Sequence, residues 1–245
     1  MSERYWQRPM PLAAALLAAG AVVITGCGSA AGSGADATAS ATSTAGLAAA
    51  AGKDAFTAGQ LRDALLGKVN GESPATAAED GAYSALPDVR QSKSSLQGVT
   101  VTPARCAQAT VTGFNSGTFA DAPASVETFR VGRDGVSEVI VAATATTGAA
   151  ALAAKLPAGC ARYRATVDGK TFSYSVKEST VPGIAEQARA LNVKAAGYSD
   201  VDVWSVVYRG DGFVGAVTIV GPDASEQGAK VLAEEAYTRA VESLH

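Results

Sequence analysis

Histidine is almost missing from this chain: 245 residues contain one, at the terminal position His245. That excludes a Ser-His-Asp or Cys-His catalytic unit, and any multi-histidine metal site, within one chain. Three cysteines, Cys27, Cys106 and Cys160, are too few for a four-cysteine zinc or iron–sulfur site. Charge is sparse as well. Charged residues make up 18%, with 20 Lys and Arg against 23 Asp and Glu, a formal charge of −3. With 47% hydrophobic residues, the chain is neither a disordered acidic tail nor a basic nucleic-acid binder.

The apolar run from Met10 to Ile24 is 15 residues long, shorter than the ~20 needed to span a bilayer. Arg4 and Arg8 precede it and small residues follow, the pattern of an export signal. It ends in Ile24-Thr25-Gly26-Cys27, which resembles a bacterial lipobox. In lipoproteins of that type, small residues before the cut let an extended backbone enter a protease groove. The cysteine thiol, the best nucleophile available for alkylation, receives a diacylglyceryl group. An ordinary export signal followed by a chance cysteine is the plainer alternative. The expectation is a signal peptide over 1–26, lipidation of Cys27, and a membrane anchor on the extracellular side. Two acyl chains hold a protein on a bilayer stably, where one would not.

From Gly28 to about Gly52 the chain is Gly, Ala, Ser and Thr, with one Asp (Asp36) and one Leu (Leu47). Such a segment cannot bury enough apolar surface to offset its ordering entropy. Residues 27–52 are expected to be a flexible tether, and 53–245 a single extracellular domain large enough for a real core.

That domain opens on a helix start: Thr57 and Gln60 fit a capping box, Phe56 and Leu61 a hydrophobic staple, and Leu61, Leu65 and Leu66 a stripe ending near Gly67. Residues 70–97 show no clear period and read as loop with short helical pieces. Strands are expected over 99–102, then over 126–131 and 136–142 around Gly132-Arg133-Asp134-Gly135. A helix over 149–156 stops at Pro157. Strands 163–167 and 171–176 flank Asp168-Gly169-Lys170, a strong hairpin signal. Residues 184–191 read as helical, and 201–208 and 213–220 as a third hairpin. Asp223 and Glu226 fit a capping box for a last helix, whose apolar face is Val231, Leu232, Ala236, Tyr237, Ala240 and Leu244. The expected fold class is therefore α+β: a twisted antiparallel sheet built from hairpins, with helices packed on it.

With Cys27 assigned to lipid, Cys106 and Cys160 form an even pair in an oxidising exterior and are expected to be joined in one disulfide. The alternatives are two buried thiols or one reactive thiol, with Arg105 beside Cys106 lowering its pKa.

Several pieces together carry a family resemblance: Val101-Thr102-Pro103-x-x-Cys106, the Glu127-x-Phe129 strand, Leu156-Pro157-Ala158-Gly159-Cys160, the strands around Trp204 and Arg209, and Ala236-Tyr237-x-x-Ala240. In content and order they resemble the PknH-like extracellular domain, over about residues 55–244. That family supplies the sensor ectodomains of certain mycobacterial serine/threonine kinases and occurs as freestanding actinobacterial lipoproteins. The resemblance implies a twisted antiparallel sheet with helices on it and a ligand-binding cleft. Kinase members carry two disulfides, whereas this chain can form one.

Other motifs have bland readings. Gly210-x-Gly212-x-x-Gly215 spells a dinucleotide fingerprint, but the strand pattern that follows supplies no helix N-terminus for a pyrophosphate. Arg209-Gly210-Asp211 spells an adhesion tripeptide that three residues reach often by chance. Asp200 and Asp202 could help hold calcium, but no ladder of oxygens follows, and a solvated strand edge accounts for them. Arg162 and Arg164, alternating with Tyr163, could clamp a carboxylate or phosphate, or discourage edge pairing. Trp204 lines either a core or a cleft. Glu234 and Glu235 are helix neighbours that point apart, so they make no acid/base pair.

These features predict a lipid-anchored extracellular ligand- or partner-binding domain of the sensor type, not an enzyme, with Arg162, Arg164, Trp204 and Arg209 as candidate ligand-binding residues. Its expected partners are the membrane, through the anchor on Cys27, and a small ligand or envelope protein. No nucleic acid and no cofactor or metal is expected. The alternative is a carrier of lipids or other apolar ligands, for which a large apolar cavity would be the mark. An envelope hydrolase would need two converging buried acids, and none is legible.

Overall fold

The structure, a computed structural model, describes residues 56–108, 117–185, 187–196 and 201–244. The segments expected to be a signal peptide and a tether, with Cys27, lie outside these residues, as does Asp200. Among the described residues no helix is long and apolar enough to cross a membrane.

Nine strands form one antiparallel sheet: β1 (Glu79–Ala82), β2 (Thr100–Thr102), β3 (Pro123–Val131), β4 (Asp134–Ala142), β5 (Arg162–Val167), β6 (Lys170–Thr180), β7 (Gln187–Ala195), β8 (Asp202–Gly210) and β9 (Phe213–Gly221). Their spatial order is β1-β3-β4-β9-β8-β7-β6-β5-β2. The α-helices among the described residues are α1 (Ala58–Asp63), α2 (Pro87–Leu96), α3 (Ala145–Ala153) and α4 (Glu226–Leu244).

The expected hairpins form, each with a tight two-residue turn. Asp168 and Gly169 both adopt positive φ, 48° and 73°, the backbone that matches the right-handed twist of the flanking strands. Gly132 (φ 59°) and Gly212 (φ 76°) serve the other two. The capping box at Thr57 and Gln60 is complete, with each residue's side chain accepting the other's backbone N–H.

Four expectations change. Residues 187–195 form β7 rather than part of a helix, because β6 and β8 pair with them on both sides. The 149–156 helix starts earlier, at Ala145, because the Thr144 side chain accepts from the Thr147 amide and caps it. The last helix is capped by Ser225, whose hydroxyl accepts from Gly228 N–H at 3.1 Å. Asp223 pairs instead with Arg133 at 2.9 Å, and Val231 turns away from the core at 41% exposure. Within 70–97 the structure adds β1 and the full helix α2, with Pro87 in its first turn, where a missing N–H costs nothing.

Alternation along the strands divides the sheet into two covered faces. On one, α1 and α4 close over Phe129, Ile140, Val206, Tyr208, Phe213 and Val217. On the other, α3 packs on β8, with Ala151, Val141, Val207 and Val214 in one cluster. Further along that second face, Cys106 and Cys160 lie in a cluster with Tyr163, Phe172, Tyr174, Leu191 and Val203.

The disulfide forms. Cys106 and Cys160 are bonded, their Cα atoms 5.3 Å apart, and both are fully buried. Arg105 Nε donates to the Ala158 carbonyl beside it at 3.3 Å. The rings of Tyr163 and Tyr174 stack at 5.1 Å within the same cluster.

Candidate functional site

The covering of the α1/α4 face stops short. The α4 N-terminus reaches β6 near Ser179, whose hydroxyl lies 3.5 Å from Glu226 Oε1. Beyond that point, among the described residues, no helix lies over the corner of the sheet formed by β5, β6 and β7 and bordered by β2. Register lays its side chains out in rows, since directly paired residues share a face. Thr102, Arg164 and Ser173 make one row. Arg162, Ser175, Lys194 and Asp202 make the next. A groove of about 840 Å³ opens over these two rows, with Pro103 and Ala196 also on its wall. That volume falls in the usual range for small-molecule sites, about 300–1,000 Å³.

Electrostatically the corner is positive. Lys194 and Asp202 neutralise each other at 2.7 Å. Arg162 and Arg164 are exposed, and among the described residues neither guanidinium has a hydrogen-bonding or ionic partner. Asp202, weighed above as a calcium ligand, is thus engaged by a lysine, and the described residues hold no cluster of acids, histidines or cysteines suited to a metal.

Of the four candidate binding residues, the structure brings two into the groove. Trp204 stands on the same face one row further in, paired with Asn192, and packs partly buried against the α1/α4 core rather than lining the groove. Arg209 lies on the opposite face, donating through Nη1 to the Ala145 carbonyl at 3.1 Å at the start of α3. Its side chain runs under Gly148, where a Cβ would sit 2.9 Å from Arg209 Cδ. Arg189 holds the other end of α3, donating to the Ala154 carbonyl and, at 3.2 Å, to Glu178. Both arginines fasten a helix.

A second polar cluster lies inside the molecule, formed by residues not singled out above as a pair. Glu127 on β3 and Glu138 on β4 are directly paired under the end of α1. Glu138 Oε2 accepts from Leu66 N–H at 2.9 Å, and Glu127 Oε2 from Gly67 N–H at 3.3 Å. Arg239 of α4 donates to the carbonyls of Leu65 (3.2 Å) and Asp63 (3.3 Å). Burial pushes Glu138 up to about 8, with the neighbouring Glu127 charge adding to it while the Leu66 amide and Arg239 oppose it. Burial likewise raises Glu127. Glu138 Oε1 and the Tyr208 hydroxyl are buried, with no hydrogen-bond partner among the described residues. These are two converging acids, but they do not line the groove, and they are engaged in holding backbone.

The three glycines of the fingerprint Gly210-x-Gly212-x-x-Gly215 also have structural roles. Gly212 makes the turn, while a Cβ at Gly210 would lie 2.3 Å from the Phe213 ring and one at Gly215 would lie 2.3 Å from the Tyr208 ring. Strand β9 follows, so no helix N-terminus is available for a pyrophosphate.

The described chain is thus a nine-stranded antiparallel sheet with helices on both faces and one bare, basic corner. No family model matches the sequence, and no curated protein does. Among solved structures, it is similar to the extracellular domain of PknH from Mycobacterium tuberculosis. The identity is 15% and the TM-score 0.46, over 59% of this chain and 78% of that one. It is also similar to the Rv0999 ortholog from Mycobacterium smegmatis, at 17% identity and a TM-score of 0.41, over 59% of this chain and 77% of that one.

Proposed function

We propose that this chain is a lipid-anchored extracellular binding domain of the sensor type, without catalysis, that captures a small ligand at the open corner of its sheet. The observation that supports the reading is the groove itself, the part of the α1/α4 face that the described residues leave uncovered, floored by paired polar rows with two arginines that have no ionic partner among those residues. The side chains of the two rows are charged or hydroxylic, which supports a ligand carrying a polar group over a wholly apolar one. On this reading the lipobox-like cysteine Cys27 places the domain on the outer surface of the membrane, and residues 28–52 set its reach.

Two measurements on the full chain test the reading. Metabolic labelling with an alkyne fatty acid should mark the chain, and Cys27→Ala should abolish the label and release the protein into the medium. Hydrogen exchange with and without a small-molecule extract of the host should show protection confined to residues 162–164, 173–175 and 194–196. Unchanged labelling in Cys27→Ala sinks the anchor, and protection elsewhere or nowhere sinks the groove.

A further inference from the structure

We infer that the groove selects its ligand through a phosphate group held between Arg162 and Arg164. This rests on the groove being the binding site and adds the chemistry of what it takes. The two arginines sit two residues apart on β5 and share a face, so their Cα atoms are about 6.5–7 Å apart. Ser175 lies opposite Arg162, Ser173 opposite Arg164, and Thr102 flanks Arg164 on the other side. The groove therefore gathers two guanidinium forks and three hydroxyls.

Protection of a sheet edge is the ordinary reason for charge on an outer strand. It does not account for Arg164, because β5 is paired there on both sides, with β6 and with β2. Neutralisation within the fold is not its purpose either: Lys194 in the same row has Asp202, while the two arginines have no ionic partner among the described residues. Among the described residues these two adjacent positive charges stand uncompensated at the mouth of the groove.

The number of donors then decides the kind of anion. One guanidinium fork satisfies both oxygens of a carboxylate. Two forks and three hydroxyls exceed what a carboxylate can accept. A phosphate monoester, with three terminal oxygens and a charge near −2, can use both forks at once. A soluble phosphate ester and the phosphomonoester headgroup of a membrane lipid offer the same chemistry.

Calorimetry on the full chain in detergent, with glycerol 3-phosphate as the probe and succinate as the carboxylate control, tests the inference. Phosphatidylcholine vesicles with and without phosphatidic acid make the lipid arm. Saturable binding in either arm is expected, weakened tenfold or more by Arg162→Ala and by Arg164→Ala. Arg164→Lys, which keeps the charge and loses the fork, should weaken it nearly as much. Arg209→Ala, on the far face, should leave it unchanged. Arg162 and Arg164 are exposed, so melting temperatures of the variants at these two positions should match the parent. Absence of binding in both arms, equal binding of succinate, or binding that survives both alanine substitutions overturns the inference. Ser175→Trp fills the groove without changing charge and separates the two levels. If it expels a host-derived ligand that the double arginine variant retains, the groove stands and the phosphate falls. If it expels nothing, the groove itself falls.

Discussion

Glu127 and Glu138 stand opposite each other on β3 and β4 and take the backbone amides of two consecutive residues, Gly67 and Leu66. Through them the sheet grips the end of α1, while Arg239 of α4 grips carbonyls of the same segment. Helix α1 is therefore held by buried polar groups as well as by Leu61 and Leu65.

This grip should make stability depend on pH. Glu138 titrates at about 8 in the folded chain against 4.5 for the free side chain, so the folded state keeps a proton that the unfolded state releases. Stability is then highest below about pH 4.5 with respect to this group, declines as pH rises to about 8, and levels off above it. Glu127, also raised, acts in the same direction. Glu138→Gln, which can still accept from Leu66, should flatten the decline. Melting temperatures of parent and variant from about pH 5 to about pH 9 check this, and parallel curves would contradict it.

The Cys106–Cys160 bond closes a loop of 54 residues' separation. The chain-entropy account gives it about 4 kcal/mol. Replacing both cysteines by alanine should lower the denaturant midpoint accordingly. The loss should be matched in the parent by reduction under unfolding conditions.

Gly215→Ala should be costly although Gly215 needs no special backbone conformation. The added Cβ would lie 2.3 Å from the Tyr208 ring, which is fully buried and meets Tyr237 edge-on at 6.0 Å. Overpacking of this kind costs about 1–3 kcal/mol. Chemical denaturation would show it, and a neutral result would mean that the ring moves freely.

Arg209→Ala should loosen α3 without touching the groove. It removes a bond to the Ala145 carbonyl, worth about 1.5–3 kcal/mol for a charged donor. Faster amide exchange across 145–153 is expected, with ligand retention unchanged.

What the sequence disclosed follows from how local each cause is. Thr57 and Gln60, or Asp168 and Gly169, act on their own neighbours, so their cap and turn were readable. Residues 187–191 were not: Gln187, Ala188, Arg189, Ala190 and Leu191 favour helix by tenths of a kcal/mol each. That preference loses to ladders with β6 and β8 that only the assembled sheet provides. The Glu127–Glu138 pair depended on one detail. With a two-residue turn at Gly132-Arg133, Val131 faces Asp134 and the glutamates meet. The four-residue turn suggested by Gly132 to Gly135 would have set Glu127 against Ile140. For the groove, the spacing of Arg162 and Arg164 put them on one face. That the described helices leave this face bare there depends on the path α4 takes across the sheet, which no local pattern states.

The most direct test of the binding account is native mass spectrometry of the full chain purified from its own host, compared with Ser175→Trp prepared identically. The account predicts a reproducible extra mass on the parent, lost on denaturation and absent from the variant. The same extra mass on both proteins, or none on the parent, would contradict a ligand-binding groove at this corner of the sheet.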